Sequence, residues 1–593
     1  MAGDVSRPGC PDDWSLGLRA RSGARPHISS DSGYRDLRSG IRGHRVNYRR
    51  SRWTVIAVAA VCALAASACG RPVATSTSSS GDVSPTNGLV AITPAGTKPV
   101  ASVVWATNRD LRSTDPLFAL GYPEFTATSL MCEPLLRQAP DGSLEPGLAT
   151  VANPSPTSLV FTLRPGVRFW DGHPVTPADV VYSLDRHINP KLGGFYRPVF
   201  DRVASITATG QNQVTISLKQ PDYWLEGELS SVPGIVIEKS FAQKEGANYG
   251  TPGGGTMCTG AYMLKSWTPG AGVVAVRNPH YWNPAVHPLV GQIIIKSVPD
   301  LASVTAGLET GAIQGNYLTS DSTLAQLTHS GTVKVYLGPG WTTDAFVVTS
   351  LKGVLGNLNV RRALSLALNR QAIISSVYQG AALMPRWLSN PGTFGYGKSV
   401  FAKAYASSPV LTQNIAEAKR LVKQAGATGK TITMGTSSQL AVIAGDTGAY
   451  QAAAEAIGLK VVLKSVSAQN FVEFFADPKF RAGIDGVPSL AAGDYADPAA
   501  MLSSIVLPGG SQNYDNFNDP KITAALEQAR STADPAKRAA LVAEAEALTV
   551  QQLPYIPTVQ PDTVLVLARG LTGAISSTAY LYSPWANRLG GTG

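Results

Sequence analysis

Leu159, Phe161 and Leu163 alternate with Val160, Thr162 and Arg164, the period of a strand that turns one face to a core. Pro165-Gly166 predicts a turn, Val167 and Phe169 resume the alternation, and Asp171-Gly172 predicts a second reversal. In Thr176-Pro177-Ala178-Asp179, a hydroxyl cap, a proline at the first helical position and an acid three residues after the cap predict a helix from about Pro177. Val180, Val181 and Leu184 give it an apolar face, which leaves Asp185 and Arg186 on a face expected to be solvated.

The same reading places strands at residues 103–105, 214–218, 273–276, 293–295 and 458–463, and helices at 301–311, 360–374 and 417–426. Arg361-Arg362 opens one of these helices and reads as a solvated face rather than a phosphate patch. Helix and strand alternate in the second half, as in an α/β domain. Residues 1–50 are polar and Arg-rich, with neither period. The uncharged run 53–68 is shorter than the roughly 20 residues a membrane span needs and suits a signal-peptide core, for which a start near Val46 would be ordinary. Residues 69–99 are rich in Ser, Thr, Gly and Pro and are expected to form a flexible tether.

The formal charge of +10 is uneven: residues 1–68 hold 11 Arg against 5 Asp. No Lys/Arg run with interleaved aromatics follows, so a nucleic-acid partner is not expected. The five histidines after the leader, His173, His187, His280, His287 and His329, show no metal-ligand spacing. Neither a GxSxG elbow nor a phosphate loop occurs, so no cofactor and no enzymatic activity are expected. A secreted hydrolase whose triad assembles from distant positions is the reading of another class.

Several segments carry a resemblance. FTLRPGVRFWDGHPVTPADVVYSLDR (161–186), LRSTDP (111–116), MCEPLLRQAPDGSLEPGLAT (131–150), CTGAY (258–262), RNPHYW (277–282), VRRALSLALNRQAII (360–374), EAKRLVKQAG (417–426), DYADP (494–498) and NYDNF (513–517) follow in the order seen in the family 5 substrate-binding proteins of ABC importers. The chain resembles that family over roughly residues 100–585. The resemblance implies an α/β, type II periplasmic-binding-protein fold: two lobes with mixed sheets joined by a hinge, the first enlarged by an extra subdomain. The expected division is 1–68 leader and signal peptide, 69–99 tether, 100–345 lobe I, 346–556 lobe II and 557–593 return to lobe I.

It also implies a function: capture of a peptide between the lobes and delivery to a permease and its ATPase, by a protein that works as a monomer. A non-peptide solute, or a role as an envelope regulator of the same fold, stays open. Ser67-Ala68-Cys69 resembles a lipobox, implying acylation of Cys69 and anchoring to the outer face of the cell membrane, with a plain signal peptide as the alternative. Family likeness sets Cys132 and Cys258 near one another, so a disulfide is expected in an oxidising compartment. Asp494 stands where relatives hold the ligand's α-ammonium, and it is expected to do so here. The alternative is a cap or turn at Asp494 to Pro498. Tyr495, Tyr122, Trp341 and Trp387 are candidate pocket walls, each equally readable as core. No arginine stands in residues 443–450, where dipeptide-selective relatives hold the ligand carboxylate, which disfavours strict dipeptide selectivity.

Overall fold

In the computed structural model, residues 88–318, 320–437, 441–467 and 470–593 are described. Alternating apolar positions build three principal sheets. The first runs, edge to edge, through Val333–Gly338, Thr563–Ala568, Gly315–Tyr317, Val100–Thr107, Val290–Ser297, Gly272–Arg277 and Tyr262–Thr268. Val100–Thr107 pairs in parallel with Val290–Ser297, setting Val103 beside Ile293 and Trp105 beside Ile295, all fully buried. The second sheet runs through Ala382–Leu383, Tyr555–Pro561, Thr343–Val348, Gly486–Ala491, Thr431–Thr436 and Lys460–Ser465. Both mix parallel and antiparallel pairs, and each sheet is the centre of one lobe.

The third sheet is the antiparallel set Ala149–Ser155, Ser158–Leu163, Gln213–Leu218 and Val203–Gly210, a subdomain appended to the first lobe. Leu159, Phe161 and Leu163 point into its core, covered by Val180 and Leu184 of the helix Pro177–Ile188. That helix starts as its sequence dictates: Asp179 Oδ2 accepts from the Thr176 amide (2.9 Å) and hydroxyl (2.6 Å). Arg186, however, is not solvated. Its guanidinium forms a bidentate pair with the buried Asp115 (2.8 and 2.5 Å), because the turn at residues 111–116 packs over that face.

Two other helical expectations are corrected. The segment 360–374 is broken into Leu358–Ala367 and Arg370–Ser376, since the Asn369 side chain caps the second helix by accepting from the Ala372 amide (3.0 Å). Arg361 is buried rather than solvated. It donates to Leu355 O (2.6 Å) in the turn before its own helix and to Gln552 O (2.8 Å), a carbonyl that the helix Pro535–Gln552 leaves open at its C-terminus.

Residues 88–99 are part of the folded body rather than a tether. Val90 N–H donates to Leu337 O (2.8 Å), Thr93 N–H to Ala574 O (3.0 Å) and Thr97 N–H to Gly591 O (2.9 Å), so this segment pairs with the strand Val333–Gly338 and with the end of the chain. Cys69, the signal-peptide run and the rest of the expected tether lie outside the described residues. Among the described residues, no helix is long and apolar enough to cross a membrane.

The chain passes from the first sheet to the second at residues 339–342 and back at Asp562. Thr343–Ala345 and Pro557–Pro561 therefore belong to the second sheet, a few residues beyond the expected division, because strand pairing runs on to the crossover. The crossovers touch: a Cβ on Gly340 would lie 2.0 Å from Pro561 O, so only glycine allows this approach.

Candidate functional site

The strand Gly486–Ala491 runs out toward the opposite lobe, and the chain turns before Asp497 caps the helix Pro498–Val506 by accepting from the Ala499 amide (2.8 Å). Asp494 stands in that turn. Its Oδ1 accepts from the Tyr582 hydroxyl (2.6 Å), and its carbonyl accepts from Gln138 Nε2 (2.9 Å), both donors belonging to the first lobe. Gln138 Oε1 in turn accepts from the Ala496 amide (3.1 Å). One lobe thus supplies the carboxylate and the other holds it. Burial pushes the Asp494 carboxyl above the usual carboxylate range, an effect opposed by the hydroxyls of Tyr582 and Tyr196.

Asp494 lines a cavity of about 380 Å³ between the lobes, within the roughly 300–1,000 Å³ typical of small-ligand sites. Tyr122, Tyr196, Trp224 and Tyr582 wall it from the first lobe, and Phe471, Leu490, Tyr514 and Tyr555 from the second. Tyr122 reaches it because Gly121, at φ 106°, starts the buried helix Tyr122–Met131 at the cavity edge. One side of the cavity is closed by ion pairs across the lobes. Arg530 donates to Asp201 (2.6 Å) and to Asp222 (2.5 Å), Arg202 pairs with Glu527, and the Tyr223 amide donates to Arg530 O (2.9 Å). Glu228 also lines the wall. Burial, then the charges of Asp494 and Asp222, push its carboxyl well above the ordinary range.

Of the pocket candidates, Tyr122 and Asp494 line the cavity and three others do not. The Tyr495 ring lies on Gly227, where a Cβ would come within 2.3 Å of it. Trp341 is buried behind Tyr582, their ring planes 5° apart and centroids 6.3 Å apart, so it supports the tyrosine that holds Asp494. Trp387 belongs to the second lobe's core, edge-on to Tyr405 at 5.3 Å, with its Nε1 donating to Ser408 Oγ (2.8 Å). Tyr582, Tyr196, Trp224, Glu228 and Arg530 went unnoticed in the sequence. Their motifs are undistinguished, and they become site residues only through contacts across the lobes. In the first lobe a disulfide joins Cys132 to Cys258. Thr259 Oγ1 donates to the buried Glu133 beside it (2.9 Å).

Two α/β lobes joined by paired crossovers, with a cavity walled from both, define a bilobed binding protein. Residues 143–513 match the family described as bacterial extracellular solute-binding proteins, family 5 Middle, and the chain belongs to that family. Among curated relatives, the periplasmic murein peptide-binding protein MppA of Escherichia coli K12 is 25% identical over 76% of this chain and 85% of its own length. Solved structures share the fold. The DppA periplasmic binding protein of Helicobacter pylori, in complex with the peptide STSA, superposes with a TM-score of 0.73 at 19% identity, covering 84% of this chain and 99% of that one. AgaA from A. tumefaciens R10, in complex with agropinic acid, gives 0.74 at 19% identity, covering 83% and 99%.

Proposed function

We propose that this chain is the substrate-binding component of an ABC importer, capturing peptides between its lobes and presenting them to a membrane permease and its ATPase. The fold alone accommodates peptide and non-peptide solutes, as the two solved relatives show. The observation that carries the peptide reading is Asp494: a carboxylate enclosed between lobes, held by a tyrosine hydroxyl and facing the cavity, with no basic side chain bonded to it among the described residues. Such a group is costly to leave desolvated and gains from an ammonium. The α-ammonium of a peptide supplies one, and closure of both lobes on it shifts the population toward the closed form. The relatives named as binders of murein peptide and oligopeptide support the same reading.

Replacing Asp494 by Asn keeps the shape and removes the charge. It should weaken binding of a free-amine tripeptide by about 2–5 kcal/mol in calorimetry. Unchanged affinity with the fold intact would sink the assignment and favour a solute without an amine. We also propose that Cys69 carries the lipid anchor that keeps the protein at the outer face of the membrane, as a monomer. Its test is radiolabelled palmitate incorporation, expected for the native chain and lost in Cys69→Ala; labelling that persists in the variant would rule it out.

A further inference from the structure

The cavity wall carries a second carboxylate that the reading above leaves unused. Glu228 ends the short helix Leu225–Glu228 of the first lobe and lines the same cavity as Asp494 of the second. The two arginines on that wall are committed elsewhere: Arg109 to Glu124 at 2.6 Å, and Arg530 to Asp201 and Asp222. Among the described lining residues there is no lysine. Asp201, Asp222, Glu228 and Asp494 thus face Arg109 and Arg530, and the acids left over are Glu228 and Asp494. Trp224 lines the same cavity, 5% exposed, with Arg530 Cζ 5.5 Å from its ring and its Nε1–H without a hydrogen-bond partner among the described residues. A peptide carbonyl in the cavity would supply the acceptor that this buried donor lacks.

A ligand with a single ammonium would satisfy Asp494 and leave Glu228 without a cation of its own: burial and the charges of Asp494 and Asp222 disfavour its ionisation, opposed only by Arg530, whose guanidinium is already bonded to Asp201 and Asp222. A ligand with two neighbouring cations satisfies both. Resting on the peptide reading, we propose that Glu228 is a second cation subsite, and that the cavity selects peptides whose first residue is basic, with the α-ammonium on Asp494 and the Lys or Arg side chain on Glu228. Neither wall arginine is free to take the carboxylate of such a ligand, since Arg109 is paired with Glu124 and Arg530 with Asp201 and Asp222.

The test is calorimetry on the full chain with three probes: Lys-Ala-Ala, its isostere norleucine-Ala-Ala, and 1,5-diaminopentane. Lys-Ala-Ala should bind at least about tenfold more tightly than the norleucine peptide, a difference of about 1.4 kcal/mol. In Glu228→Gln that ratio should fall to about one, whereas Asp494→Asn should weaken both peptides. Equal affinities in the native protein would overturn the Glu228 subsite while leaving the peptide reading in place, and this comparison needs no variant to fold. Binding of the diamine without either peptide would overturn the peptide reading but keep the paired carboxylates as a dication site. Failure of all three probes would overturn both.

Discussion

Arg186 and Asp115 show what a single residue contributes here. The pair is bidentate, with side chains 14% and 2% exposed, and it ties the helix of the appended subdomain to the turn that opens the first lobe. Removing the arginine leaves a buried carboxylate without a cation, bonded to the Leu117 amide (3.0 Å). Arg186→Met should cost about 3 kcal/mol, read as a lowered urea midpoint, and an unchanged midpoint would show that the pair contributes little. Helical period told which face Arg186 occupies but not that residues 111–116 pack over it. Arg361 was misread for the same reason, since its carbonyl partners lie up to 191 positions away. Buried acids give a pH dependence. Burial pushes Asp344 and Asp515 up to about 6, and Asp497, Glu546 and Asp562 up to about 7. Raised folded pKa values mean the native state holds protons that the unfolded chain, with carboxyls near 4, has released, so stability rises as pH falls from about 7 toward 4. His187, pushed down to about 3 by burial, acts oppositely below about 6.5, and Asp141, held down to about 2 by its hydrogen bond with Ser143, acts oppositely only at about pH 4 and below. The melting temperature should therefore be higher near pH 5.5 than near pH 8, and a fall would contradict these assignments.

At the scale of elements, local chemistry was readable wherever an element carries its own signals. The strand Ser158–Leu163, the capped helix Pro177–Ile188 and the glycine stop after Leu301–Thr310, where Gly311 takes φ 77°, all follow from neighbours in sequence. The break at Asn369 was hidden because apolar spacing continues across it while the side chain makes a cap. Residues 88–99 were misjudged because their hydrogen bonds are to residues 337 and 574–591, and composition reports nothing of such pairing. The disulfide joins the end of the helix Tyr122–Met131 to the segment before the strand Tyr262–Thr268, closing a separation of 126 residues. The chain-entropy model puts its contribution at roughly 4–5 kcal/mol. Reduction, or Cys132→Ala with Cys258→Ala, should lower the urea midpoint accordingly, and an unaffected midpoint would mean the loop is already constrained by packing.

For the whole molecule, the lobes meet through Arg530 with Asp201 and Asp222, and through Gln138 and Tyr582 with the Asp494 turn. Breaking the first set should favour the open form. Arg530→Ala is expected to increase the radius of gyration of the ligand-free protein in small-angle scattering, and an unchanged radius would show that the crossovers at 339–342 and Asp562 alone set the lobe angle. The bilobed fold was legible because its motifs come in order along the chain. The site was legible only in part: Asp494 sits in a motif and Tyr122 was readable as a wall or as core, whereas Tyr582 and Glu228 gain their meaning from the opposite lobe. The most direct measurement is a calorimetric comparison of one tripeptide with its N-acetylated twin. Capture of an α-ammonium by Asp494 requires acetylation to weaken binding by about 2 kcal/mol or more; equal affinity for the two would contradict it.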